Sequence, residues 1–349
     1  MSHHLSDVIS EYLASMTGAG DRPSTVRNKR QSLTHFLTVV GNIQTRNVTG
    51  AHIDTFFTAM NAKAHGPGTL NGHLFTLRHF FRWSWQRGYR PRGDDPTVGR
   101  RPMKVPERTR LRVPASDFGR LLDCAPHPRD RVVVALGLYL FLRQGEIGLL
   151  KVGDLDLERG EVQVTIPKTA QQDLMPICTE LDEELRRWLT YYTKTQDTPM
   201  KAEWYLTPAK ARPKWVGVGR SKLVRVDLGP LELAAPTVKM SKVADAVKRT
   251  LVNAGYPVAD AAGKSNMEGV HTLRRSGARA LFDELLSRGY DGALRQVQSM
   301  LHHKNSTMTE HYLGIDLDLK RRNEALRGKS MFAKAECGSV VRLVASSEG

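Results

Sequence analysis

Between Gly88 and Pro114 the chain reads GYRPRGDDPTVGRRPMKVPERTRLRVP, with five prolines set among repeated arginines. Proline fixes φ and donates no backbone hydrogen bond, so this stretch cannot join a long helix or an inner strand. It is predicted as an extended basic connector. It divides the 349 residues into two parts, each long enough to bury its own core. A connector of this composition either stays solvated or tracks a phosphate backbone.

Upstream of it, hydrophobic periodicity predicts helices. Val8, Tyr12 and Leu13 open one apolar stripe, and Ser24-Thr25 cap a second helix with Val26, Leu33, Phe36 and Leu37 on its inner side. A third helix covers Ile53 to Met60. A fourth starts near Thr69 and carries Leu70, Leu74, Leu77, Phe80 and Phe81, followed by Trp83 and Trp85. Residues 1–110 hold 16 Lys/Arg against 7 Asp/Glu, a net +9 of the chain's total +16. Such an excess points to nucleic acid or an anionic membrane as partner. No apolar run approaches the ~20 residues that span a bilayer, and Met1 to Leu13 has no signal-peptide layout. Nucleic acid is therefore the expected partner, with no membrane.

Downstream, Ser116-Asp117 are expected to cap a helix through Phe118, Leu121 and Leu122. Arg131 to Leu142 is an almost continuous apolar run and reads as a buried helix. Val162 to Ile166 alternates as a strand, with Leu174 to Ile177 as its hairpin partner. Met200 to Pro236 has no clear period and is expected to be an irregular insertion. Helices resume at Lys242 to Ala254, His271 to Leu286 and Leu294 to Leu301. The class is mainly α with a small β-sheet. Cys124, Cys178 and Cys337 lie far apart and are expected as free thiols in a reducing cytoplasm. Neither metal-ligand spacing nor a Walker-type loop is present, so no cofactor and no metal are expected.

The chemistry-bearing residues come in a particular order. Arg143 and Glu146 lie in FLRQGEI, Lys168 in TIPKTAQQDLMPI, and His271 and Arg274 in an H-x-L-R run with Arg275 beside it. The stretch LHHKNSTMTEHY ends in Tyr312, nine positions after His303. Singly, Arg143 with Glu146 reads as a structural ion pair, and a lone hairpin lysine as a solvated one. Together they suit attack on a phosphodiester. Arginine forks bind non-bridging oxygens, histidines move protons, and a tyrosine nucleophile holds the phosphate covalently.

In order and spacing these residues resemble the tyrosine recombinase (phage integrase) family over nearly the whole chain. The resemblance implies a helical, SAM-like core-binding domain (1–98), a basic linker (99–114), a mixed α+β catalytic domain (115–327) and a C-terminal tail (328–349). It implies a 3′-phosphotyrosyl intermediate on Tyr312, with Arg143 and Arg274 bracing the phosphate. Lys168 would be general acid, His271 would help take the tyrosine proton, His303 would hydrogen-bond the phosphate, and Glu146 would orient Arg143. The partners it implies are double-stranded DNA at attachment or recombination sites, a homotetramer on DNA passing through a Holliday junction, and an accessory DNA-bending or directionality protein. The tail, with Val340-Val341-Arg342-Leu343-Val344 strand-like, would dock on a neighbouring protomer. The family's setting is prokaryotic or phage-encoded. His302 stands where the family usually has a glycine at a tight turn, so the backbone there is expected to differ.

Two other readings stay open on sequence. A type IB topoisomerase uses similar chemistry as a monomer. A catalytically lapsed architectural or regulatory DNA binder would share the charge but need not keep the six site residues.

Overall fold

Two prolines set the frame of the N-terminal helices. Pro23 opens α2 and Pro67 opens α4, each at a position where the missing N–H has no helical partner to lose. The computed structural model describes residues 3–106, 110–167, 171–196, 198–209, 214–218, 222–226, 236–257, 259, 263, 265 and 267–315. It divides into two compact units, Met1–Arg108 and Thr109–Gly349. Among the described residues no helix is long and apolar enough to cross a membrane.

The first unit is built from α1 (Leu5–Gly18), α2 (Pro23–Val40), α3 (Gly50–Ala62) and α4 (Pro67–Gln86). Their apolar stripes meet in one core that includes Leu33, Phe36, Phe56, Phe80 and Phe81, all fully buried. Phe36 meets Phe56 edge-on at 5.3 Å, a favoured aromatic geometry. Ser24 and Thr25 lie inside the first turn of α2 rather than capping it; the cap position is Arg22. Proline at the first helical position made the serine and threonine unnecessary as a start signal.

The second unit holds α5 (Phe118–Asp123), α6 (Pro128–Tyr139), α7 (Gln144–Ile147), α8 (Thr179–Lys194), α9 (Val243–Asn253), α10 (Val270–Ser287), α11 (Ala293–Met300) and α12 (Ser306–Leu313). It also holds β1 (Leu155–Asp156), β2 (Glu161–Ile166) and β3 (Gln171–Pro176), antiparallel in the order β1-β2-β3. Alternation along β2 buries Val162 and Val164 and exposes Gln163 and Thr165, as period-two patterning requires. The register pairs Val162 with Met175 and Val164 with Asp173.

The apolar run around α6 is central, with Val132 to Leu136 all buried. It packs against α5, α8, α9 and α10. Where α6 crosses α10 the backbones come very close. A Cβ on Gly277 would stand 1.7 Å from the Leu138 carbonyl oxygen, and one on Gly137 2.9 Å from Leu273 Cδ1.

Three expectations change. The buried helix spans Pro128–Tyr139 rather than reaching Leu142, because Phe141 turns into the left-handed region at φ 53. Asp117 does not cap α5 with its side chain; its carboxylate accepts from Arg120 at 2.7 Å and from the Tyr256 hydroxyl at 2.5 Å. The 200–236 insertion contains a regular antiparallel hairpin, β4 (Lys214–Val218) with β5 (Lys222–Val226). Cys124 and Cys178 are free. Lys168, Cys337 and the tail 328–349 lie outside the described residues.

Candidate active site

Arg143 sits at the N-cap of α7, just past the end of α6. Glu146 holds it twice: Oε2 accepts the Arg143 backbone N–H at 2.7 Å, and Oε1 accepts from Nη1 at 2.9 Å. Glu146 has only 1% of its side chain exposed. A carboxylate that deep needs cationic partners. Arg274 supplies a second one, its Nη1 lying 3.9 Å from Glu146 Oε2.

Arg274 is carried on α10 into the interior and is 1% exposed. Its guanidinium donates to the carbonyls of Phe141 and Leu301. Arg143 Nη2 donates to the same Leu301 carbonyl at 3.2 Å. The left-handed turn at Phe141 thus ends with that residue's carbonyl held by Arg274. Burial, and then the neighbouring charge of Arg143, lower the Arg274 pKa to about 10, so it remains charged at neutral pH.

Leu301 precedes the turn that leads into α12. His302 there has φ 50, the conformation glycine would favour. The tight turn is kept despite the histidine, at a strain of about 1–3 kcal/mol. His303 follows, its Nδ1 3.1 Å from Thr309 Oγ1 and its ring edge-on to Tyr312 at 5.4 Å. Tyr312 lies on α12, whose N-cap Asn305 accepts from the Met308 N–H. Its hydroxyl donates to the His271 backbone carbonyl at 3.3 Å, not to the imidazole. His271 lies in the first turn of α10.

Five of the six sequence-predicted site residues therefore converge: Arg143, His271, Arg274, His303 and Tyr312, with Glu146 beneath them. Lys168, the sixth, is outside the described residues.

The surrounding arginines favour a Tyr312 phenolate, but burial is the larger effect and raises the phenol above its ordinary range. Tyr312 is therefore held protonated in the free protein. His271 is lowered by burial and by Arg274. His303 is lowered by burial, then by Arg274, Arg143 and His302, from 6.5 to about 4.

The unfolded chain then binds more protons than the native one between those two values. Stability on this account is fully present above about pH 6.5 and is lost as pH falls toward 4. His73 in the first unit moves the same way, also to about 4, by burial first and then His35 and His65. Urea midpoints are expected to drop steadily from pH 7 to pH 5, with His303→Gln flattening that slope. A slope unchanged by the substitution would argue against a neutral, buried imidazole.

Sequence reasoning passed over two members of the site. Arg275 is 3% exposed and lies over the Tyr312 ring at 5.4 Å. It also pairs with Glu268, which Arg110 binds at 2.7 Å. Burial pushes the Glu268 carboxyl up, but Arg275 and Arg110 bring it below the usual range overall. The available signal was adjacency: neighbours on a helix face about 100° apart, so Arg274 and Arg275 serve different partners.

Residues 112–317 match the profile of the Phage integrase family. The chain is 25% identical over 318 residues to the tyrosine recombinase XerA of Thermococcus kodakarensis, covering 90% of this chain and 93% of that protein. Its fold matches a lambda integrase dimer bound to a COC' core site, with TM-score 0.66 and 15% identity over 89% of this chain and 95% of that one. It also matches a lambda integrase tetramer bound to a Holliday junction, with TM-score 0.65 and 15% identity over 89% and 77%. At that identity the likeness to the solved structures is one of fold.

Proposed function

Because this chain belongs to the phage integrase family of tyrosine recombinases, we propose that it cuts and rejoins duplex DNA at specific sites through Tyr312. The observation that carries the reading is the gathering of Tyr312, His303, Arg143 and Arg274 around the Leu301–His303 turn. The chain's net charge of +16 suits a polyanionic substrate.

In the first step the Tyr312 oxygen attacks the scissile phosphorus and the P–O5′ bond breaks, leaving a 3′-phosphotyrosyl link. The phenol proton passes toward His271, and Lys168 gives a proton to the departing 5′ oxygen. Arg143 and Arg274 take the non-bridging oxygens and the charge that grows on them. With Nδ1 of His303 engaged by Thr309, the other ring nitrogen is the one available to the phosphate. The reverse attack by a 5′-hydroxyl from a partner strand rejoins the DNA, so no nucleotide is consumed. Two rounds of exchange pass through a Holliday junction on a homotetramer, with an accessory DNA-bending or directionality protein and the tail 328–349 docked on a neighbouring protomer.

Trapping on DNA tests this. Wild-type protein is incubated, without metal or ATP, with nicked duplexes from the DNA flanking its gene, and run on denaturing gels. A covalent band supports the reading. Tight, salt-sensitive binding with no band would favour an architectural DNA binder. Arg274→Lys is expected to lower the cleavage rate by about 10²–10³-fold, because a lysine point charge cannot hold two carbonyls and a phosphate oxygen together. Cleavage within about threefold of wild type would remove Arg274 from the phosphate clamp.

A further inference from the structure

His302 holds a backbone that glycine adopts freely and other residues adopt under strain. Such a residue persists where its surroundings fix it. Here the fixing contact is Asp173: His302 Nε2 lies 2.7 Å from Asp173 Oδ2, and the imidazole is 14% exposed. Asp173 stands on β3 opposite Val164, and Ile166 with Gln171 forms the last rung of that ladder. Residues 167–170 join the two strands, and Lys168 is among them. Pro167, its neighbour, lies near α7, where a Cβ on Gly145 would be 4.0 Å from Pro167 Cγ. One side-chain contact therefore ties the turn that carries His303 to the hairpin that carries Lys168.

We propose that His302 and Asp173 form a latch that sets the β2–β3 hairpin against the phosphate-binding turn and so governs the general-acid step. Both are positioning residues: they touch no reacting atom and act through Lys168. The inference rests on the reading of Lys168 as general acid. A glycine at 302 would allow the same turn but leave the hairpin without this tie.

The test separates protonation of the leaving group from everything else. Two nicked duplexes are compared in single-turnover cleavage, on the sequence found by trapping. One has the natural bridging 5′ oxygen and the other a bridging 5′ sulfur, whose thiolate departs without a proton. His302→Gly and Asp173→Ala are each expected to slow cleavage of the oxygen substrate about 10- to 100-fold, as displacement of a catalytic group does. Cleavage of the sulfur substrate should fall by less than about threefold, because it needs no general acid. The double variant should lose no more than either single one, as expected for a shared contact. His302→Gly guards against misfolding, since it relieves the turn.

Lys168→Ala is the reference. If it is rescued by sulfur while Asp173→Ala loses equally on both substrates, or loses on neither, the latch is overturned. If Lys168→Ala is itself not rescued, the acid assignment fails and the latch falls with it.

Discussion

Tyr312→Phe protein is expected to bind its duplex within about threefold of wild type and to form no covalent adduct, a loss of more than about 10⁴-fold in cleavage. The substitution removes one oxygen and little else. That hydroxyl donates to the His271 carbonyl at a long 3.3 Å and also meets Arg274, which keeps the Phe141 and Leu301 carbonyls without it, so its loss should cost little in folding. The ring contacts to His303 and Arg275, each at 5.4 Å, need no hydroxyl and remain. The clamp of Arg143, Arg274 and Glu146 is anchored on other elements. Binding and chemistry should therefore come apart cleanly in this variant. Gel-shift titration and denaturing gels on the same nicked duplex measure both. Undiminished cleavage by Tyr312→Phe would sink the nucleophile assignment.

Gly277→Ala should damage the fold more than a methyl at any other described glycine. The added Cβ would stand 1.7 Å from the Leu138 carbonyl oxygen and 2.8 Å from Phe141 Cε1. The first obstacle is backbone in a buried helix, which cannot swing aside as a flexible side chain could. From the same helix, Ser276 accepts the Val113 N–H at 2.8 Å, and Arg274 donates to the Phe141 and Leu301 carbonyls. Moving α10 away from α6 would break several of these contacts together. The expected destabilisation exceeds about 4 kcal/mol, beyond ordinary overpacking, and should appear as insoluble protein or a large drop in urea midpoint. Gly119→Ala is the control: its Cβ would meet nothing within 4 Å, and in α5 it should be neutral or slightly stabilising. A Gly277→Ala protein within about 1 kcal/mol of wild type would show that the two helices pack less closely.

Helical periodicity was enough to find α1 to α4, because each stripe returns every three or four residues to one core. Strand alternation found the β2–β3 pair for the same kind of reason. Boundaries were harder. The apolar run to Leu142 gives no sign that Phe141 turns left-handed, because that turn is fixed by Arg274, more than a hundred residues along. Asp117 beside Ser116 looks like a cap, and only the fold brings Tyr256 to occupy its carboxylate.

Within the site, Arg143, Arg274, His303 and Tyr312 were legible from spacing, since the family's short motifs are local. The work of Leu301 was not, because its contribution is a carbonyl that every residue possesses. The phenol's resistance to ionisation was equally hidden. Charge can be counted along a sequence, whereas desolvation depends on what the fold stacks around the group.

The carbonyl of Leu301 is shared by Arg143 and Arg274. Two like charges converge on one small dipole, with Glu146 the carboxylate that pairs with both. The charge of Arg143 works against that of Arg274, so a phosphodiester bound between them, on the proposed reading, would relieve their repulsion. Ligand and folding are then linked: whatever anion fills the clamp also tightens the unit around it. If that clamp takes the scissile phosphate as proposed, part of the protein's grip on DNA would be the relaxation of its own interior.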